Sequence, residues 1–195
     1  MLPSYLSALN GSNSYTDNNL NEIVIAIETD AILKSMNWVR NSIPYRVRST
    51  FDFFDVISIE EGETVIEAGT EIRFEDGTGL EVGPGASLRI IGEATNEVLL
   101  RGVNDLAGSW NGLYFNDTQS PQNRIEYTQI KHAGSEYDGV KAGISMRVNP
   151  RLHLQNVGFT SIDGCSVLNR DVTDNPNFTS ENLSHTDTQG TLCTE

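Results

Sequence analysis

The stretch GSWNGLYFND (108–117) reads in two ways. Its aromatic residues line a groove, or they form one rung of a repeated unit. The Gly112-Leu-Tyr-Phe core of that stretch has counterparts at Gly79-Leu-Glu-Val, Gly143-Ile-Ser-Met, Gly164-Cys-Ser-Val and, more loosely, Gly190-Thr-Leu-Cys. In the first four of these segments the first and third positions after glycine are Leu80 and Val82, Leu113 and Phe115, Ile144 and Met146, and Cys165 and Val167. The residues between them are Glu81, Tyr114, Ser145 and Ser166. Side chains alternate across a strand, so the apolar set faces one way and the second set the other. A second strand precedes the last three glycines, in IEYTQIKHAG (125–134), LQNVGFTSIDG (154–164) and NFTSENLSHTDTQG (177–190), with Ile130, Phe159 and Leu183 as its apolar marks.

Helical periodicity is absent after residue 40, and short alternating runs separated by Gly-containing or acidic turns take its place. EIVIAIETD (22–30) reads as a strand, and AILKSMNWVR (31–40) as a short helix or a second strand. NDTQSPQN and GSEYDGVK are loops of unequal length between the repeats. Strands that recur without intervening helices fit a parallel β-helix, in which equivalent strands stack about 4.8 Å apart and bury one continuous inner column. A β-sandwich has a similar strand count but leaves the recurring Gly-led motif without a reason.

The chain has 195 residues, enough for one domain with a proper core. Its 13 basic residues against 27 acidic ones give a formal net charge of −14, which argues against nucleic acid as a partner. No apolar run is long enough to span a membrane. The first residues, MLPSYLSALNGSNSYTDNN, lack a basic region followed by an apolar one. Abundant Asn, Thr, Ser and Gly with little Lys favour export, so the expectation is an extracellular or cell-surface protein whose signal sequence has been removed. Residues 1–20 read as a flexible polar arm, and 21–195 as the β-helix domain, with 21–50 its N-terminal cap or first coil.

The segments IPYRV (43–47), ISIEEGETVIEAGTEIRFEDGTGLEV (57–82), GASLRIIGEATNEVLLRG (85–102), GSWNGLYF (108–115) and IEYTQIKHAG (125–134) resemble right-handed parallel β-helix proteins of bacterial cell surfaces, within the pectin-lyase-like superfold. The match runs over about residues 38–170. It implies an all-β, single-stranded right-handed parallel β-helix with short stacked coils and variable loops. It also implies export, often as a lipoprotein or as part of a larger surface protein. The end TLCTE stops inside a rung, which implies a longer natural chain. Fold alone assigns no chemistry.

Lyases and hydrolases on such a fold need carboxylates grouped on one outer sheet. Hydrolases need two of them about 5–10 Å apart. The outward column Glu81, Tyr114, Ser145, Ser166 holds one carboxylate, and Glu81, Asp117, Glu126 and Asp138 are the best remaining set for an enzyme. No catalytic residue, cofactor or metal site is assigned. The acidic loops EEGE (60–63), FEDG (74–77) and DVTDNPN (171–177) lack calcium-loop spacing. His132 and His185 align two coils apart, roughly 10 Å, too far for one metal ion, and His153 faces outward between Leu152 and Leu154. Aromatic stacking on a glycan is the remaining ligand chemistry, through outward Tyr114, Tyr127 and the corner residue Trp110. Cys165 and Cys193 lie on one face, one coil apart and offset by two residues, about 8 Å between Cα atoms, so a disulfide needs local adjustment.

The expectation is therefore a non-catalytic exported module, structural or adhesion-type, with weak binding to a polysaccharide or cell-surface glycan and self-association through its terminal coils. The alternative is a polysaccharide lyase or glycoside hydrolase.

Overall fold

A computed structural model describes residues 1–9, 21–27, 31–50, 55–171 and 174–195. It is a parallel β-solenoid of about six turns. The strands are β1 (Ile23–Ile27), β2 (Ile32–Leu33), β3 (Met36–Trp38), β4 (Tyr45–Ser49), β5 (Asp55–Glu67), β6 (Glu71–Phe74) and β7 (Thr78–Ile91). They continue with β8 (Val98–Gly102), β9 (Gly112–Asn116), β10 (Arg124–Lys131), β11 (Ala142–Arg147), β12 (Leu152–Asn169), β13 (Phe178–Glu181) and β14 (Ser184–Thr194).

Three parallel ladders run along the solenoid. One stacks β1, β4, β6, β8, the end of β10, the middle of β12 and the start of β14. The second stacks β3 with parts of β5, β7, β10 and β12, and ends on β13. The third stacks β2, β5, β7, β9, β11, the end of β12 and the end of β14. The long strands turn a corner and so serve two ladders. The corner between the second and first ladders is made by Tyr127, Asn156 and Asn182, all with positive φ. Asn182 Nδ2 donates to Asn156 Oδ1 over 3.1 Å, a one-step asparagine ladder. Asn tolerates this left-handed backbone better than most residues because its short side chain bonds locally.

Inward positions form unbroken apolar columns. Ile57, Leu80, Leu113, Ile144 and Val167 make one, and Ile59, Val82, Phe115 and Met146 the next. A third runs Ile23, Tyr45, Ile72, Leu100, Ile130 and Phe159. Trp110, fully buried, stacks on Phe74 at 4.2 Å and donates its indole N–H to the Lys131 carbonyl over 2.8 Å.

The two ends differ from each other. Residues of the expected polar arm form a 3-10 turn, Pro3–Ala8, whose Leu6 is 1% exposed and closes the N-terminal end of the core. A single Leu among Ser and Tyr carries no periodic signal, so sequence patterning gives no warning of this cap. The rest of that arm, residues 10–20, lies outside the described residues. At the other end the last coil puts Ser180, His185 and Thr188 opposite Leu154, Phe159 and Ile162. Three inner columns thus end in polar residues, while those of Leu152 and Val167 end in Phe178 and Leu192.

Of the two readings of AILKSMNWVR the strand holds: the segment contains β2 and β3, with Ile32, Met36 and Trp38 buried in alternation. Three other expectations change. His185, not Leu183, occupies the rung position of Ile130 and Phe159, and its ring stacks on Phe159 at 5.5 Å. His132 lies at a different corner with a positive φ, so the two histidines do not align. Gly164 does not open its rung as Gly143 does: Ala142 pairs with Cys165 and Ile144 with Val167. The shift is two residues. It removes Cys165 from the inner column and replaces Ser166 by Leu168 in the outward one.

Candidate functional site

The outward column of the third ladder, in corrected register, is Glu81, Tyr114, Ser145, Leu168 and Cys193. Beside it runs a second outward column, in which Asn116 pairs with Arg147. Arg170 follows one rung on, its amide bonded to the Met146 carbonyl, and the Glu195 amide is bonded to the Asn169 carbonyl beyond it. The loop over residues 134–141 folds back on this face. Its tip is closed by paired backbone bonds between Tyr137 and Val140.

That loop covers part of the face and leaves a cleft of about 340 Å³ next to it, lined by Glu81, Tyr114, Asn116, Tyr137, Asp138, Ser145, Arg147 and Arg170 among others. Under the loop lies a small apolar cluster separate from the solenoid interior: Tyr114, Val140, Ala142 and Leu168, flanked by Tyr137, Cys165 and Cys193. Cys165 and Cys193 are joined in a disulfide, with Cα atoms 6.2 Å apart. The separation is shorter than the expected value of about 8 Å, although Cys165 pairs with Gly190 and Cys193 with Leu168, so the two cysteines are offset along the ladder.

Polar groups in the cleft are paired with one another. Tyr137 donates its hydroxyl to Glu81 Oε2 over 3.0 Å, and Asn116 Nδ2 donates to Glu81 Oε1 over 3.4 Å. Arg147 and Arg170 sit on adjacent rungs, where like charges repel. Asp138 bridges them, 2.6 Å from Arg170 Nη1 and 3.5 Å from Arg147 Nη1. Arg170 also reaches the Asp138 carbonyl and, at 3.7 Å, Glu195. Tyr114 packs edge-on against Tyr137 with ring centroids 4.5 Å apart and donates its hydroxyl to the Asn111 carbonyl. Burial above all raises the pKa of both phenols, and for Tyr137 the neighbouring Glu81 carboxylate adds to it. Both therefore stay protonated donors at neutral pH.

The three aromatic residues singled out from sequence are not brought together. Tyr114 does sit on the outer face, but it is 6% exposed because Tyr137 lies on it. Trp110 is 0% exposed and belongs to the interior, out of reach of a ligand. Tyr127 holds a corner in the left-handed region at φ 44° and does not line the cleft. Of the four carboxylates weighed for an enzyme, Glu81 and Asp138 share the cleft. Asp117 and Glu126 do not, and Glu126 is paired with Arg124 at 2.6 Å. Sequence reading missed Arg147 and Arg170. The signal that finds them is the register: the two-residue error put Leu168, not Arg170, beneath Arg147.

Among the described residues no three His, Cys, Asp or Glu side chains converge as metal ligands. The loop DVTDNPN is only partly within the described residues. No described helix is long and apolar enough to cross a membrane. Compared with protein-family models, curated proteins and solved structures, the chain matches none.

Proposed function

We propose that this chain is a non-catalytic module of an exported or cell-surface protein, a rigid rod that holds a shallow glycan-binding cleft on its side. The resemblance to pectin-lyase-like surface proteins supports export, and so does a disulfide, which persists in oxidising compartments. The observation that carries the non-catalytic reading is the pairing inside the cleft. Asp138 is neutralised by two arginines, and Glu81 accepts from Tyr137 and Asn116. A hydrolase needs two carboxylates free to act on the substrate, and here Asp138 is held in ion pairs, which leaves Glu81 without a second free carboxylate beside it.

Incubating the purified chain with immobilised polysaccharides tests the reading. The expected result is retention on at least one of them without new reducing ends or unsaturated products. A second reading, a lyase or hydrolase, draws on Glu81 and Asp138 sharing one cleft. Product formation that disappears in Glu81→Gln and Asp138→Asn would establish it instead.

A further inference from the structure

We infer that the cleft takes a neutral saccharide with adjacent free hydroxyls, in preference to a uronate or a sulfated glycan. This rests on the glycan-binding reading and names its ligand class. Two arginines facing one cleft in a chain of net charge −14 invite an anion at first sight. Their pairing argues the other way. Both are bridged by Asp138, and Arg170 is further held by Glu195 and the Asp138 carbonyl. The lining holds two carboxylates against two guanidinium groups, and Glu195 beyond it pairs with Arg170, so the cleft carries no excess positive charge. An anionic polymer would compete with Asp138 for these guanidinium groups and approach an acidic surface, at an electrostatic cost.

A neutral sugar needs none of this. Each oxygen of Glu81 receives one bond from the protein, and a carboxylate oxygen has room for a second. Two adjacent hydroxyls donating to that carboxylate match its fork, with charge-assisted strength. Arg147, its side chain 51% exposed, has unused N–H donors for a hydroxyl or ring oxygen. Tyr137 contributes an apolar ring edge on the same wall. A volume of about 340 Å³ is at the small end of ligand sites, and suits a short stretch of a glycan chain.

The test is affinity electrophoresis and calorimetry of the whole chain with soluble mannan, β-glucan and galactan, set against polygalacturonate and heparin at two salt concentrations. Retention by a neutral polymer is expected, insensitive to salt. It should weaken on the order of tenfold or more in Glu81→Gln and in Tyr137→Ala, and less in Arg147→Gln. Circular dichroism and thermal melting confirm that each variant is folded. The isosteric Glu81→Gln keeps the test meaningful if Tyr137→Ala loosens the loop. Preference for polygalacturonate or heparin, falling with salt, overturns the neutral class and leaves glycan binding standing. No retention by any of the five polymers overturns the glycan reading itself.

Discussion

Leu113 and Tyr114 are neighbours on β9, yet they belong to two regions built on different rules. Leu113 lies in a column repeated rung after rung as Ile57, Leu80, Leu113, Ile144 and Val167. Tyr114 lies in one that reads Glu81, Tyr114, Ser145, Leu168 and Cys193, never the same residue twice. Inside, every coil meets the same need, to bury apolar surface against the coil above and below, so the pattern repeats. Outside, each position meets a local need. Glu81 receives hydrogen bonds, Tyr114 roots the loop, Leu168 fills the space beneath it and Cys193 staples the last coil. Repetition therefore marks structure here, and its breakdown marks the site.

The contrast is sharpest under mutation. Trp110→Ala removes the largest side chain of the central coils and should cost about 3–5 kcal/mol, measured by chemical denaturation. A loss near zero would mean that the stacked interior is not what holds the rod together. Next comes the staple. Replacing Cys165 and Cys193 by Ala, a link across 28 residues, should lower stability by about 2–4 kcal/mol. Hydrogen exchange should place the loosening in β14 and the loop over residues 134–141, while β4 to β9 keep their protection. Tyr114→Phe should cost only about 1 kcal/mol, since it deletes one hydroxyl bond to the Asn111 carbonyl and leaves the ring in place.

The smallest effect is on pH dependence. Burial lowers the pKa of His185, stacked on Phe159 and sharing a hydrogen bond with Ser166. The folded chain then binds fewer protons there than the unfolded one. The stability from this site is complete above the ordinary histidine value of 6.5 and is lost as pH falls below it. A melting series from pH 8 down should show a decline beginning near that value, and His185→Phe should flatten it. Burial shifts His132 in the same direction, so part of the slope should survive the substitution.

Much of the fold was legible in the sequence because the inner columns obey a period of two in every coil. Leu80, Val82, Leu113, Phe115, Ile144 and Met146 were placed correctly from alternation alone. Legibility ended where one strand runs on through a corner. In β12, Gly164 sits mid-strand, and glycine spacing misaligned its rung by two residues. That error hid Arg170. The outward direction of Tyr114 was also legible, but its cover was not. The loop over residues 134–141 belongs to no repeat, and nothing in GSEYDGVK states which face it folds onto. Trp110 was placed at a corner beside a loop, but its partner there, Phe74, was not legible.

The most direct measurement is the chain length of a neutral polysaccharide before and after prolonged incubation with the purified protein, read by size-exclusion chromatography alongside binding. The expected result is a polymer that is bound and uncut, with binding lost in Glu81→Gln and thermal stability unchanged. A polymer shortened by the native chain and left intact by Glu81→Gln and Asp138→Asn would contradict it, and would make the cleft an active site.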